Sequence, residues 1–553
     1  MKNKLFVILN AVAALFVLFC IKINIQASAM EINTFPDLIT AIGIFILLAV
    51  FVFMIKKDRS FFIPSLIMAI AAGVMIPVGR ALRYDSTLSL LRADNIQVIK
   101  TIMISLGYGV LFLCAFFTGF HLLDKLQYNL KYRSEKYRPE KRPDRINAFF
   151  LNHPVLSLLL IFGVMVLIFI PFYPGTVMGD TPNQIKEAFG IRGTFTNYFS
   201  EFEYIYPDSS LSNMHPVICT LFWKGCMCLG NLIFRSYNAG LAIAVLAQVF
   251  VTSLGISKLC CILAQYRISG LSIVLCLAYY FLNPFFWNYS YLLSKDVMYA
   301  AFLQLFLLEV FLLLKDKALI RDKVLFIISA IGLASFRGEG AYLVAVICAA
   351  AVIYGLCTLK RSRKTEKQRS SRNLKRHIRW FTAAGVSIII IHMVWNSVML
   401  PALQVTPGAK GLRANIPVQQ VTRYIMVHED DLSEEEYESF STVLNIPAAV
   451  EAFNPHDADP VKECFDFNAE NEDVEAFLFS WMNICVKDPI LALKTWFNVK
   501  YEYFWPEDTV FIFYKVRRSE ILMNRINKAA AAEGTQLNLR YPELFEPVRN
   551  VIQ

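Results

Sequence analysis

The sequence predicts an all-α polytopic membrane protein of about eleven transmembrane helices, N-terminus in and C-terminus out, with a mainly helical extracytoplasmic C-terminal domain. Three observations carry this reading. Hydrophobic residues make up 56% of the 553-residue chain, with 45 Phe and a mean hydropathy of +0.47, which does not suit a soluble globule. Lys and Arg gather in alternate short loops between apolar runs. Residues 401–553 reverse that charge, with 14 Lys plus Arg against 24 Asp plus Glu.

A helix needs roughly 20 mainly apolar residues to cross the hydrocarbon of a bilayer. Such segments lie near 5–23, 38–55, 61–78, 98–122 and 154–172, and again near 216–234, 239–263, 270–287, 296–314, 323–336, 340–359 and 380–400. The first is read as a retained anchor, since it is long for a signal peptide and Ala27-Ser28-Ala29 is a weak cleavage site. Five basic stretches belong inside: MKNK, KKDRS at 56–60, KLQYNLKYRSEKYRPEKRPDR at 125–145, KDKALIRDK at 315–323 and KRSRKTEKQRSSRNLKRHIR at 360–379. Between an outer loop at 175–214 and the inner loop at 315–323 the crossings must be odd in number, yet four apolar segments lie there. The weakest, HPVICTLFWKGCMCLGNLIF at 215–234, carries Lys224 and is expected to be an amphipathic helix that lies at the outer surface or re-enters it.

The expected domains are an N-terminal four-helix membrane bundle (1–123), a basic cytoplasmic linker (124–148), a transmembrane core (149–400) whose first outer loop spans 175–238, and the extracytoplasmic domain (401–553). The last has a net charge of −10 within a chain of +10, so the membrane part carries +20. Anchoring loops and contact with anionic membrane lipids account for that excess, and no nucleic-acid module is present. The 12 cysteines sit mostly in apolar helices as small hydrophobes; Cys464 and Cys485, in the outer domain, are candidates for a disulfide. An aromatic run, Trp481, Trp496, Phe497, Tyr501, Tyr503, Phe504 and Trp505, suits sugar stacking or, more simply, a helical core with an interfacial belt.

Ionisable residues near the hydrocarbon cost about 2.5–3.5 kcal/mol on insertion scales and are seldom kept without a role. At the outer helix ends they are Asp180 in FYPGTVMGDTPNQ, His215 before Pro216, Lys295 and Asp296 in NPFFWNYSYLLSKD, and Arg337 and Glu339 in SFRGEG. Each has a plain structural reading. Asp180 can cap the helix that opens TPNQ, His215 can be an ordinary loop histidine, Asp296 can cap or pair with Lys295, and Arg337 can pair locally with Glu339. Glu309 lies near the inner end within reach of Lys315 and is read as structural.

The order of these elements resembles polytopic glycosyltransferases of the GT-C class: an Asp in a Tyr-Pro-Gly loop, His-Pro before a surface helix, Asn-Pro followed by Lys-Asp, and an Arg-x-Glu-Gly turn. It is most similar to an uncharacterised bacterial membrane protein family of this type, which shares IPVQQVTR (Ile416 to Arg423) after the last helix. The similarity covers roughly 149–510; the arginine turn departs from it, with Gly338 where Asn is expected.

The resemblance implies sugar transfer from a polyprenyl-phosphate or polyprenyl-diphosphate donor to an envelope acceptor (glycopolymer, lipid or protein) at the outer face of a bacterial plasma membrane. It implies Asp180 as the base, Asp296 as a second acid, Lys295, Arg337 and His215 as donor-phosphate ligands, and Glu339 as the partner that orients Arg337. Members of the class differ in metal dependence, so a divalent ion is left open, with Asp180, Asp296 and His215 as candidate ligands. The alternatives are a transporter or flippase for a lipid-linked or anionic substrate, and a non-catalytic envelope-assembly protein.

Overall fold

Apolar runs rich in Leu, Ile, Phe and Ala satisfy their backbone hydrogen bonds internally as helices, the form that lipid requires. The computed structural model describes residues 2–32, 38–86, 88–136, 144–193, 195, 202–315, 318–363, 368–409, 414–501 and 516–552. In chain order its membrane-length part holds α1 (Lys2–Lys22), α2 (Leu38–Ile55), α3 (Phe62–Asp85), α4 (Asn95–Lys136), α5 (Arg145–Asn152), α6 (Pro154–Phe169), α7 (Thr181–Ala188), α8 (Val217–Phe234), α9 (Tyr237–Gln265), α10 (Gly270–Leu282), α11 (Pro284–Ser290), α12 (Lys295–Leu314), α13 (Ile320–Phe336), α14 (Glu339–Arg363) and α15 (Gln368–Val394). A short turn, α16 (Leu400–Ala402), follows. Then come α17 (Asn415–His428), α18 (Glu434–Val443), α19 (Ile446–Glu451), α20 (Asp459–Lys462), α21 (Asn471–Lys487), α22 (Pro489–Lys500), α23 (Val516–Ala532) and α24 (Glu546–Ile552).

This is an all-α, multi-pass membrane protein. Among the described residues ten helices are long and apolar enough to cross a bilayer, and up to twelve spans result if each of two bent pairs counts as one. Three details differ from the sequence reading. Helix α8, expected to lie on the surface, meets the length and hydropathy of a span. The segment at 270–287 is a pair, α10 and α11, bent by 58° at Asn283-Pro284, where Asn283 caps the second helix. Residues 401–553 contain a second such pair, α21 and α22, bent by 108°.

The chain divides into two compact units: Met1–Pro139, Thr196–Phe202 and Ala409–Phe511 in the first, and Glu140–Phe195, Glu203–Gly408 and Ile512–Gln553 in the second. The single outer domain expected over 401–553 is therefore divided. Its larger part joins the N-terminal bundle in one unit, and its last stretch belongs to the unit that holds the transmembrane core.

In the first unit, buried polar side chains tie helices together. Arg423 and Asn498 both donate to the Ser86 carbonyl at the end of α3, at 2.9 and 2.5 Å, and Arg83 donates to the Tyr501 hydroxyl. Gln419 donates to the Asn454 carbonyl and Gln420 to that of Ala492, while the Trp481 indole donates back to Gln420. The polar residues of IPVQQVTR are thus internal braces of α17. Trp481 and Tyr501 serve that packing; Trp496 and Phe497 are exposed with their rings 5.0 Å apart, and Tyr503, Phe504 and Trp505 lie outside the described residues. Cys464 and Cys485 are separate free thiols, the first against the Pro460 carbonyl and the second against Gln420, so the candidate disulfide is not formed.

The second unit is built on α9, whose buried face packs with α6, α8 and α12. Its core joins Phe172, Trp223, Met227, Val245 and Tyr291 to Met523, Ile526 and Tyr541 from the C-terminal segment. At the other end of α12, Glu309 pairs with Lys258 of α9 at 3.1 Å rather than with Lys315, and Lys258 also meets Asp322 of α13 at 2.5 Å.

Candidate functional site

Two very short strands set the geometry of the charged cluster. β1 (Thr176–Val177) and β2 (Leu292–Leu293) pair in parallel, Thr176 opposite Leu292 and Val177 opposite Leu293. Each strand is followed within a few residues by a helix start, so the register brings Asp180 alongside Lys295 although they are 115 residues apart in sequence. The turn into β1 needs its glycine. Gly175 has φ +120°, and a Cβ there would come within 2.5 Å of Val245. The Tyr173-Pro174 bond before it is cis.

Buried hydrogen bonds hold both strands. The Gln248 amide donates to the carbonyls of Ser290 and Leu292, using both hydrogens of its NH2 on the backbone around β2. Thr181 donates to the Leu293 carbonyl at 2.5 Å. From the C-terminal segment, the Ser519 hydroxyl accepts from the Val177 N–H at 2.9 Å and is itself held by the Tyr541 hydroxyl. None of these braces was expected from the sequence.

On this frame the six expected residues fall into two linked groups. Lys295 donates to Asp180 Oδ2 at 2.5 Å and lies 3.2 Å from His215 Nδ1, which is 3.5 Å from the same carboxylate oxygen. Arg337 donates to Asp296 Oδ1 at 2.6 Å and reaches Glu339 Oε2 at 3.4 Å. Its guanidinium also sits 5.7 Å from the centre of the Tyr299 ring. Adjacent residues Lys295 and Asp296, in the first turn of α12, connect the two groups.

The plain readings fare unevenly. Asp180 occupies the cap position of α7 but its side chain makes no capping hydrogen bond. Ser294, not Asp296, caps α12. Lys295 and Asp296 turn to different partners, and the local Arg337–Glu339 pair exists but is extended to Asp296. His215 Nδ1 can accept from Lys295 when unprotonated or donate to Asp180 when protonated, so its state decides which neighbour it serves.

All four segments present helix starts here: α7 after Asp180, α8 after His215-Pro216, α12 at Lys295 and α14 at Glu339. A helix N-terminus carries about half a positive charge from its unsatisfied N–H groups. Added to Lys295 and Arg337, these ends favour an anion. The carboxylates that now hold the two cations are about half exposed or more, at 49% for Asp180, 54% for Asp296 and 75% for Glu339. Burial works against the charge on Arg337, but Asp296 and Glu339 outweigh it and hold the guanidinium above its ordinary value. The candidate metal ligands Asp180, Asp296 and His215 do not form a three-residue ligand set here. Asp296 is committed to Arg337, and among the described residues no three His, Cys, Asp or Glu side chains converge as a ligand set.

The RGEG turn is tight at its second glycine. A Cβ on Gly340 would lie 2.0 Å from the Leu333 carbonyl oxygen, so α14 starts against the end of α13 only with glycine there. At Gly338 a Cβ meets nothing within 4 Å, so the departure from Arg-Asn-Glu-Gly leaves open space beside Arg337.

A family model matches residues 7–532, a span that includes every residue of the cluster and the α23 that supports it. The chain belongs to DUF6020, a family of unknown function. No curated protein and no solved structure matches it.

This DUF6020 chain holds a further acid that the sequence reading missed. Glu187, 1% exposed on α7, accepts from Ser212 at 2.6 Å and from the Tyr204 hydroxyl at 3.1 Å through one oxygen, while the other has no hydrogen-bond partner among the described residues. Burial pushes its carboxyl up to about 7, against the lowering effect of Ser212 and Tyr204. The signal was present in TPNQIKEAFG: Thr181, Gln184, Ile185 and Ala188 form the buried face of α7, and Glu187 lies within it.

Proposed function

We propose that this protein is a GT-C-type glycosyltransferase of the bacterial plasma membrane that moves a sugar from a polyprenyl-(di)phosphate donor to an envelope acceptor at the outer face. The observation that supports it most is the pairing of Lys295 with Asp180 and of Arg337 with Asp296 at converging helix starts. In the free protein the two carboxylates occupy the cations. A donor phosphate takes over Lys295 as a point charge and Arg337 through its planar fork, and so frees Asp180.

The reaction is then a displacement at the anomeric carbon. The bond from that carbon to the donor phosphate oxygen breaks, and its electron pair stays on the phosphate beside Lys295 and Arg337. The acceptor oxygen forms the new bond and its proton passes to Asp180. Glu339 holds Arg337 in place, and His215, which shares Lys295 with Asp180, adds a second polar contact to the phosphate.

The test is transfer from a panel of polyprenyl-phosphate sugars by the full chain in proteoliposomes, comparing wild type with Asp180→Asn. Transfer by wild type and its loss in the variant is expected. Full activity in the variant removes Asp180 as the base, and net movement of the intact donor between leaflets without transfer replaces the enzyme by a transporter.

A further inference from the structure

Outside the site, the Lys258 triad is saturated by its own carboxylates and the braces of α17 are internal, whereas a basic cavity lies at the far ends of α12 and α13. The cavity has a volume of about 370 Å³, within the roughly 300–1,000 Å³ typical of ligand sites. Lys323, Arg376, His377 and Arg379 line it together with the apolar Leu313, Trp380 and Phe381. Among the described residues no carboxylate contributes to its wall. Asp322, next in sequence to Lys323, is taken up by Lys258 and by the Leu319 N–H. Among the described residues neither Lys323 nor Arg379 has an ion pair.

The position along α15 is informative. Before Trp380 the helix reads QRSSRNLKRHIR, and after it FTAAGVSIIII, so the cavity sits where charged helix gives way to apolar helix. Trp is the residue that favours such a boundary. A soluble phosphate calls for the cations alone, whereas the apolar lining calls for a ligand with a hydrocarbon part. Basic pockets between membrane helices have the chemistry of anionic-lipid sites.

We infer that this cavity holds the phosphate headgroup of an anionic membrane lipid, with Lys323, Arg376 and Arg379 on the phosphate and the chains along the apolar part of α15. The site is separate from the cluster around Lys295, and its existence does not depend on sugar transfer.

The test uses the full-length protein in vesicles of equimolar phosphatidylglycerol and phosphatidylcholine, with bound lipid counted by native mass spectrometry after detergent release. Wild type should retain phosphatidylglycerol selectively. Lys323→Gln with Arg379→Gln should lower that retention roughly 25-fold, at about 1 kcal/mol for each basic residue removed. Arg379→Gln alone, an exposed change on a helix, should lower it roughly fivefold and serves if the double variant does not fold. Lys56→Gln with Lys57→Gln removes the same charge from an exposed loop elsewhere and should retain the lipid as wild type does. Wild-type retention in the cavity variants, or equal loss in the loop control, overturns the proposal. Displacement of the lipid by excess glycerol phosphate also overturns it, by assigning the cavity to a soluble phosphate.

Discussion

Two ionic clusters in the second unit use the same residue types in opposite surroundings. Around Lys295 and Arg337 the paired carboxylates are 49 to 75% exposed; around Lys258 the carboxylates of Glu309 and Asp322 are 0 and 4% exposed. Water and ligands can compete for the first set and cannot reach the second. The exposed pairs are therefore worth little as fastenings, about 0–1 kcal/mol each, which leaves their cations open to exchange in the proposed mechanism. The buried triad binds α9, α12 and α13 together, and removing one member leaves an uncompensated charge among apolar helices.

This contrast can be sharpened by substitution, and the largest effect is expected in catalysis. On the proposed transfer mechanism, Asp180→Asn should lower activity by about 10²–10⁴-fold, the range for loss of a positioned base, with thermal unfolding unchanged. Next is Lys258→Met, which should destabilise the detergent-solubilised protein by about 3–5 kcal/mol, read as a fall in melting temperature. The matching Lys295→Met change should cost no more than about 1 kcal/mol. Equal costs in the two variants break the comparison.

A pH titration probes a third setting, the buried but unpaired acid. Glu187 has a folded-state value of about 7 against an ordinary 4.5, so the folded chain holds this proton more tightly than the unfolded chain. Its contribution is complete below about pH 4.5 and is lost as pH rises to 7, on the order of 3 kcal/mol in all. Melting temperature should fall across that window in wild type, and Glu187→Gln should flatten the fall. The smallest effects belong to the arginine turn. Gly340→Ala should cost about 1–3 kcal/mol through overpacking against Leu333, while Gly338→Asn should leave stability within about 0.5 kcal/mol of wild type.

Much of this was legible in the sequence because apolar runs and basic loops are strong signals. The helices follow those runs, and the six residues singled out at helix ends do meet. Their pairing was not legible, since it depends on a two-residue parallel register between segments far apart in the chain. Ser519 and Tyr541 act on backbone around β1 through single side chains, which leave no periodic trace, so residues after 511 read as more of the acidic segment before them. The partner of Glu309 was misjudged because Lys315 is near in sequence, while Lys258 is near only once α9 packs on α12. Helix α8 was set aside on Lys224 and its glycines, yet its hydropathy suffices for a span.

The proposed mechanism requires Lys295 and Arg337 to be exchangeable anion contacts. It is tested most directly by the affinity of the full chain for a polyprenyl phosphate, wild type against Lys295→Gln and Arg337→Gln. Each charged hydrogen bond lost is worth about 1.5–3 kcal/mol, so each variant should bind roughly 10- to 100-fold more weakly while keeping the wild-type melting temperature. Unchanged affinity in both variants would contradict that role.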